Sequence, residues 1–312
     1  PAPTNTGNPA RKKALSAAAA VVGLGALAYG AYWALVLNHY ESTDNAYVQA
    51  NVVQITPQVG GTVIAIGADD TDRVKAGQML VKLDEADARL ALDQAQAQLA
   101  QTVREVRTLY ANNAALAAPN VQRAAARVRE AFLALKRSEL PAPVSGFVAK
   151  RSVQLGQRVQ AGSPLMSIIT LDQVWVEANF KESQLRKLRI GQPVELVADV
   201  YGQKVPYRGT IEGLGAGTGA AFALLPAQNA TGNWIKIVQR VPVRVKLDAK
   251  ELAEHPLRVG LSMEAKVDVS NTEGAMLASG TQSAAAAQTP VFDRLTAAAD
   301  AEVAKIIAAH GG

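Results

Sequence analysis

"GGTVIAIGADDTDRVKAGQML" occupies Gly60 to Leu80, and "SGFVAKRSVQLGQRVQAGSPL" occupies Ser145 to Leu165. At a constant offset of 85 residues Gly61 falls on Gly146, Val63 on Val148, Arg73 on Arg158, Val74 on Val159, Ala76 on Ala161, Gly77 on Gly162 and Leu80 on Leu165. Each copy is rich in Val and Ile and punctuated by glycine, the pattern of short strands joined by turns. About 30 residues of short strand bury too little surface to stand alone. The two copies are therefore expected to dock on each other as one flattened β-unit, with Val63 and Val148 in a common core. Gly61, Gly77, Gly146 and Gly162 are assigned to its structural turns, where the backbone freedom of glycine is needed.

Between the copies the texture changes. From Asp84 to Ala118 there is no glycine, and Ala, Gln, Leu, Arg and Glu, all good helix formers, take over. Leu92, Leu99 and Val106 recur every seven residues, with Gln96, Val103 and Tyr110 four beyond each. A second arm runs from Asn120 to Ser138, with Val121, Val128 and Leu135 on one rail and Ala125 and Phe132 on the other. Together they predict an antiparallel coiled-coil hairpin over 84–139. The arms are unequal, about 50 Å against about 30 Å at 1.5 Å per residue. Tyr110 and Leu116 then have nothing opposite them, and "LAAPNVQ" joins the arms without a glycine. The expectation is that the outer part of the hairpin is missing from this sequence at a seam between Leu116 and Asn120; an unbroken turn there would mean a short-armed protein.

The chain has 312 residues, 49% of them apolar and 19% charged, with a net charge of +5 and no cysteine. That excludes disulfides, thiolate metal sites and cysteine nucleophiles. No basic stripe interleaved with aromatics follows the N-terminus, so no nucleic-acid partner is expected. "ALSAAAAVVGLGALAYGAYWALVL", Ala14 to Leu37, carries no charge and follows Arg11, Lys12 and Lys13. Its 24 residues exceed the about 20 needed to cross a bilayer as a helix. The positive-inside rule then leaves 1–13 as a cytoplasmic tail and sends the rest across, with Tyr29, Tyr32 and Trp33 in the interfacial belt. A cleaved signal peptide, with Ala26-Leu27-Ala28 as its site, calls for a shorter apolar core of about 7 to 15 residues.

After a connecting strand over 38–52 and the second repeat copy, the pattern becomes plain period-two alternation. Val174, Val176, Ala178 and Phe180 share a face, as do Val241, Val243, Val245 and Leu247, and Met263, Ala265, Val267 and Val269. Such strands with glycine turns predict a small antiparallel β-barrel over 173–270. Residues 271–312 are expected to be a flexible tail ending in a short amphipathic helix, with Phe292, Leu295, Ala299, Val303 and Ile306 at helical spacing.

The half-motif G-x-V…D-x-V-x-x-G-Q-x-L is similar to that of lipoyl and biotinyl carrier domains. A motif of that kind split by a helical hairpin resembles the membrane fusion proteins, the periplasmic adaptors of tripartite exporters. "STDNAYVQANVVQITPQVGGTV", "LPAPVSGFVAKRSVQLGQRVQAGSPLMSIITLDQVWVEANFKESQL" and "GAGTGAAFALLPAQNATGNWIKIVQRVPVRV" further resemble the EmrA-like branch of the HlyD family. The resemblance implies a mainly β fold: a transmembrane anchor at 14–37, lipoyl-like halves at 53–83 and 140–172, the inserted hairpin, and the barrel. It implies no enzyme and no cofactor. Its partners would be an inner-membrane transporter of the major-facilitator kind, an outer-membrane channel, and further copies of the chain as trimers or hexamers. The bulk of the chain would lie in the periplasm, exporting toxic or hydrophobic small molecules. A type I secretion adaptor with an ABC transporter is the near alternative. A lipoyl or biotinyl carrier is the distant one, and it lacks its acceptor: "KLDEADARL" places Asp84, Glu85 and Asp87 at the turn, while Lys82 belongs to the strand before.

Other constellations carry little chemistry. His39, His255 and His310 are scattered, so no metal site is predicted. "GLGAGTG", Gly213 to Gly219, fails the G-x-G-x-x-G spacing and reads as a barrel-rim loop. Asp69, Asp70 and Asp72 lack the rest of a calcium loop. Asn229-Ala230-Thr231 fits the glycosylation sequon, a match common by chance. Two stretches are assigned to partner binding. In "ANFKESQLRKLRIGQPV" these are Phe180 at a strand end with Lys181 and Arg186; in "AAFALLPAQNATGNW" they are Phe222, Leu225, Gln228, Asn229 and Trp234, carried on a loop.

Overall fold

The computed structural model describes residues 9–35, 37–109, 119–222, 237–277 and 287–311. In chain order the elements are α1 (Pro9–Leu35), β1 (Tyr40–Gln49), β2 (Val52–Ile55), β3 (Gly61–Ile66), β4 (Arg73–Val74), β5 (Met79–Leu83), α2 (Ala86–Leu109) and α3 (Pro119–Lys136). They continue with β6 (Glu139–Pro141), β7 (Gly146–Arg151), β8 (Arg158–Val159), β9 (Met166–Ile169), β10 (Trp175–Lys181), β11 (Pro193–Ala198), β12 (Pro206–Leu214), β13 (Arg240–Leu247), α4 (Ala249–Glu254), β14 (Ser262–Asp268) and α5 (Arg294–Gly311). They fall into two units, one of residues 50–173 with 281–312 and one of residues 1–49 with 174–280.

In the first unit the sequence repeat becomes a pseudo-twofold β-structure. Its two sheets have the orders β6-β5-β3-β8 and β2-β9-β7-β4, and the 85-residue offset converts one into the other. Each sheet borrows a strand from the other repeat copy: Gly61 pairs with Val159, and its image Gly146 pairs with Val74. The hydrogen bonds obey the same operation. The Val63 amide donates to the Gln157 carbonyl at 2.9 Å and the Val148 amide to the Asp72 carbonyl at 2.9 Å; the Gly77 amide reaches Ala142 and the Gly162 amide reaches Pro57, both at 2.8 Å. Val63 and Val148 lie in one buried cluster with Val74, Leu80, Leu83, Val159, Leu165 and Ile168. Neither half can close its core without the other.

Of the four glycines assigned to turns, Gly77 and Gly162 have φ of +85° and +82°. Gly61 and Gly146 instead open strands, and close approach is what requires glycine there: a Cβ at Gly146 would lie 2.4 Å from the Ile169 carbonyl oxygen. The symmetry also exposes a strained residue. Gly156 has φ +79°, and its image Thr71 has φ +74° although it carries a branched Cβ. That conformation costs a side-chain-bearing residue roughly 1–2 kcal/mol, against roughly 0.5–1 kcal/mol of extra chain entropy that glycine loses on folding. Thr71→Gly is therefore expected to raise stability and Gly156→Thr to lower it, each by about 0.5–1 kcal/mol, read as opposite shifts of the urea midpoint.

The insertion leaves this β-unit from adjacent strands. β5 and β6 are antiparallel neighbours, with Val81 opposite Leu140 and Lys82 opposite Glu139, and the Leu83 amide donates to the Ser138 carbonyl at 2.8 Å. The Asp84 carboxylate accepts from the Ala86 amide at 3.1 Å, satisfying one of the free N–H groups that open α2. α2 and α3 then share a buried seam of Leu92, Leu99, Val103, Val106, Val121, Ala124, Ala125 and Val128. Tyr110, Leu116 and the first part of the expected seam at 116–120 lie outside the described residues; α3 begins at Pro119.

The C-terminal helix departs from its reading as the end of a flexible tail. α5 packs on α2 and α3, burying Ala299 and Val303 and setting Ile306 and Ile307 against the seam. Arg129 Nε donates to Asp300 Oδ1 at 2.6 Å and Gln96 Nε2 to Glu302 Oε1 at 3.1 Å. The hairpin expected from the sequence is thus part of a three-helix arrangement.

The second unit holds a closed six-stranded barrel in the order β1-β10-β13-β12-β11-β14. The alternation read from the sequence fills it: Val176, Ala178, Phe180, Val243, Val245, Met263, Ala265 and Val267 are all buried. Outward-facing Trp175 lies under the Arg244 guanidinium, 4.0 Å from its ring centre. Tyr207 is fully buried and its hydroxyl donates to the His255 carbonyl at 2.8 Å. Burial, with Tyr201 and Glu251 adding to it, pushes the Tyr207 phenol up to about 12 from its ordinary 10. The unfolded chain thus loses this proton near pH 10 while the folded barrel keeps it, so stability is full below pH 10 and falls as pH rises toward 12. The expected loss is about 2 kcal/mol, measured as a falling urea midpoint that Tyr207→Phe flattens.

Among the described residues no helix is long and apolar enough to cross a membrane. In α1 the described side chains are Leu15 and those of 17–33, a run shorter than the about 20 residues a span needs. The anchor expected over 14–37 extends beyond them.

Candidate functional site

With neither a metal cluster among the described residues nor a catalytic constellation in the sequence, the candidate sites are surfaces. The first lies at one end of the barrel. Phe180 was expected to face a partner, but it is fully buried, because the alternation of β10 carries its side chain inward with Val176 and Ala178. Lys181 and Arg186 beside it are exposed. The neighbouring cations are structural. Lys187 Nζ lies 3.3 Å from Glu41 and donates to Asn38 Oδ1 at 2.7 Å, and Arg189 Nε donates to the Thr272 carbonyl at 3.0 Å.

The same end holds an open cavity of about 540 Å³, lined by Thr43, Lys181, Gln184, Glu195, Arg240 and Lys266 among others. Arg240 Nη1 donates to the Asn179 carbonyl at 3.1 Å and to Thr43 Oγ1 at 3.3 Å, and Thr43 Oγ1 donates to the same carbonyl at 2.9 Å. The register of β1 against β14 shifts between Thr43 and Ala46. That bulge places Thr43 within reach of Arg240, which no period-two reading reveals.

The second surface is the stem of the loop after β12. Phe222 is 76% exposed, and Ile237 and Val238 on the returning side are 51% and 54% exposed. A Cβ on Gly217 would come within 2.7 Å of the Phe222 ring, so glycine there lets the ring lie over the backbone. Leu225, Gln228, Asn229 and Trp234 lie outside the described residues.

The third surface, missed in the sequence, surrounds the base of the helical insertion. A cavity of about 370 Å³ is lined by Ile55, Met79, Leu140, Pro143, Phe292 and Leu295, with Lys136, Arg137 and Glu139 among its polar groups. Thr289 Oγ1 donates to the Pro143 carbonyl at 2.7 Å and ties the approach to α5 onto the β-unit. The turn where a carrier would present its lysine is closed: Asp84 caps α2, and Lys82 lies 3.5 Å from both Glu85 and Glu139.

Residues 51–171 match the family described as RND MFP, barrel-sandwich hybrid domain. The chain is 38% identical over 356 residues to the Multidrug export protein EmrA of Escherichia coli (strain K12), covering 92% of this chain and 91% of that one. It is 41% identical over 344 residues to the Fatty acid resistance protein FarA of Neisseria gonorrhoeae, covering 86% and 87%. In fold it is similar to a MacA-MexA chimeric protein containing the Pseudomonas aeruginosa MexA α-hairpin domain, at a TM-score of 0.61 and 19% identity over 75% of this chain and 82% of that one. The match to the Escherichia coli protein spans 356 positions, whereas 92% of 312 residues is about 287, so about 70 positions of that relative have no counterpart here.

Proposed function

This chain belongs to the membrane fusion proteins of the EmrA type, adaptors of multidrug efflux, and we propose that it joins an inner-membrane transporter of the major-facilitator kind to an outer-membrane channel for export of toxic or hydrophobic small molecules. The observation that carries this is the interlocked β-unit, whose adjacent strands β5 and β6 hold both feet of one helical insertion. A rigid base with a projecting arm transmits position and no chemistry, as a link between two membrane proteins requires. Residues 14–37 serve as the anchor that leaves the bulk in the periplasm, and the assembled adaptor contains several copies. The about 70 positions unmatched against the Escherichia coli relative fall, on this reading, in the outer arm between α2 and α3.

The transporter contact is assigned to the exposed stem of Phe222, Ile237 and Val238, with Lys181 and Arg186 nearby in the same unit. Phe222→Asp combined with Ile237→Asp is expected to leave the melting temperature within about 1 °C, since exposed substitutions cost little. It is expected to weaken transporter co-purification by at least tenfold, the scale of a hot-spot loss. The function itself is tested by expressing the chain with and without its native transporter in an efflux-deficient host. Resistance to hydrophobic toxicants should rise only with both present. Co-purification with an ATP-hydrolysing transporter instead would move the protein to type I secretion.

A further inference from the structure

The cavity at the base of the helical insertion joins apolar walls to a rim of unbalanced charge. Ile55, Met79 and Leu140 of the β-unit supply one wall. Val291, Phe292 and Leu295, on the approach to α5 and in its first turn, supply another. Met79 and Phe292 remain 40% and 38% exposed although both are large and apolar, so the fold leaves apolar surface here in contact with water. The hydrogen bond from Thr289 to the Pro143 carbonyl holds the second wall in place, and the cavity is therefore formed before anything enters it. Its volume of about 370 Å³ lies within the about 300–1,000 Å³ typical of small-molecule sites, which combine a mostly apolar lining with a few charged groups. Here the charge has one sign. Lys136 and Arg137, at the end of α3, both line the cavity, and neither forms an ion pair among the described residues. Glu139, the one carboxylate of the described lining, lies 3.5 Å from Lys82 and is already balanced.

We propose that this cavity binds a small amphiphile with an apolar body and one anionic group, the body against Met79, Leu140 and Phe292 and the anion at Lys136 and Arg137. A cation is repelled at that rim, and a neutral apolar compound leaves both charges without a partner. An anion gains a charge-assisted hydrogen bond from each, stronger than a neutral one. The site belongs to this chain alone and requires neither transporter nor channel. It also has a mechanical consequence. One wall belongs to the β-unit and another to the start of α5, so a bound molecule holds the two together. At ten times its dissociation constant it makes detachment of α5 from the base about tenfold rarer.

The chain has no cysteine, so Met79→Cys supplies a single thiol on the cavity. In the full-length chain held in lipid nanodiscs, its alkylation by N-ethylmaleimide is timed with and without 1-anilinonaphthalene-8-sulfonate, an apolar body with one sulfonate. N-phenyl-1-naphthylamine, the same body without the sulfonate, is the comparison. The sulfonate at ten times its dissociation constant is expected to slow alkylation about tenfold, and the amine at the same free concentration is expected to leave the rate nearly unchanged. Lys136→Gln together with Arg137→Gln should raise the sulfonate concentration for half-protection by about tenfold or more, as loss of hydrogen bonds from charged groups does. Leu155→Cys, on the β-unit but outside the cavity lining, should react at one rate throughout and so reports any effect of the compounds on lipid or reagent. Phe292→Cys repeats the measurement from the second wall, and hydrogen exchange of α5 in the unsubstituted chain reads the clamp without any thiol, slowing about tenfold with the sulfonate. Equal protection by both compounds, or protection that survives loss of both cations, overturns the anionic assignment. No protection at either thiol, with α5 exchange unchanged, overturns the site. Protection at both thiols with α5 exchange unchanged overturns the clamp.

Discussion

Gly146→Ala is expected to destabilise the repeat-containing unit by about 3 kcal/mol, at the upper end of what overpacking costs. Its new Cβ would sit 2.4 Å from the Ile169 carbonyl oxygen and 2.8 Å from Ile168 Cγ2, and backbone cannot step aside as a side-chain tip can. The symmetry-related Gly61→Ala should cost only about 1 kcal/mol, because its Cβ would meet the Leu83 side chain at 3.2 Å. The measurement has a built-in control. Trp33, Trp175 and Trp234 all belong to the barrel-containing unit, so tryptophan fluorescence follows that unit while far-UV circular dichroism follows both. Gly146→Ala should lower a dichroism-monitored transition by about 10 °C and leave the fluorescence transition in place. Equal losses for Gly61→Ala and Gly146→Ala would show that the pseudo-twofold packing does not distinguish the two sites.

The features that came through from the sequence are those whose signal is periodic or repeated. The 85-residue offset announced the paired β-unit because both copies solve the same packing problem with the same residues. The barrel strands announced themselves because each buries every second residue. Phe180 went astray for a local reason: its place at a strand end beside Lys181 reads as a surface anchor, against the alternation that sets it on the face of Val174, Val176 and Ala178, and the structure follows the alternation, with Phe180 buried and opposite Val241. Gly61 and Gly146 were assigned to turns because sequence does not separate a glycine needed for φ from one needed for close approach. The Arg240 to Thr43 contact was invisible because it depends on a bulge. The docking of α5 was invisible because the Leu and Val of its receptor face, Leu99, Val103 and Val128, were already assigned to the pairing of α2 with α3, and the alanines beside them, Ala124 and Ala125, read as neutral in a hydrophobic pattern. Nor does the sequence give any sign that Asp300 and Glu302 meet Arg129 and Gln96, which lie far from them along the chain.

That helical arrangement carries the second large effect. Leu99 is fully buried in the cluster formed by α2, α3 and α5, so Leu99→Asp puts a carboxylate among apolar side chains. Burying such a group costs several kcal/mol beyond the lost apolar contacts, and the expected penalty exceeds about 4 kcal/mol. Leu99→Ala should cost about 3 kcal/mol, and Leu99→Met less than about 1.5 kcal/mol. A penalty of that size falls on the three helices and should detach α5 together with the α2–α3 pairing, since all three meet at the same seam. The strands at the feet are held separately by Val81 opposite Leu140 and by the Leu83 amide on Ser138. Leu99→Asp is therefore expected to lose helical dichroism and gain protease cleavage in 86–136, while tryptophan fluorescence and the alkaline response of Tyr207 stay unchanged. Resistance conferred in an efflux-deficient host should fall to that of the empty host, because a base without its arm reaches nothing. Full resistance with a melted arm would mean that the helices are dispensable and that the adaptor works through its barrel and β-unit alone.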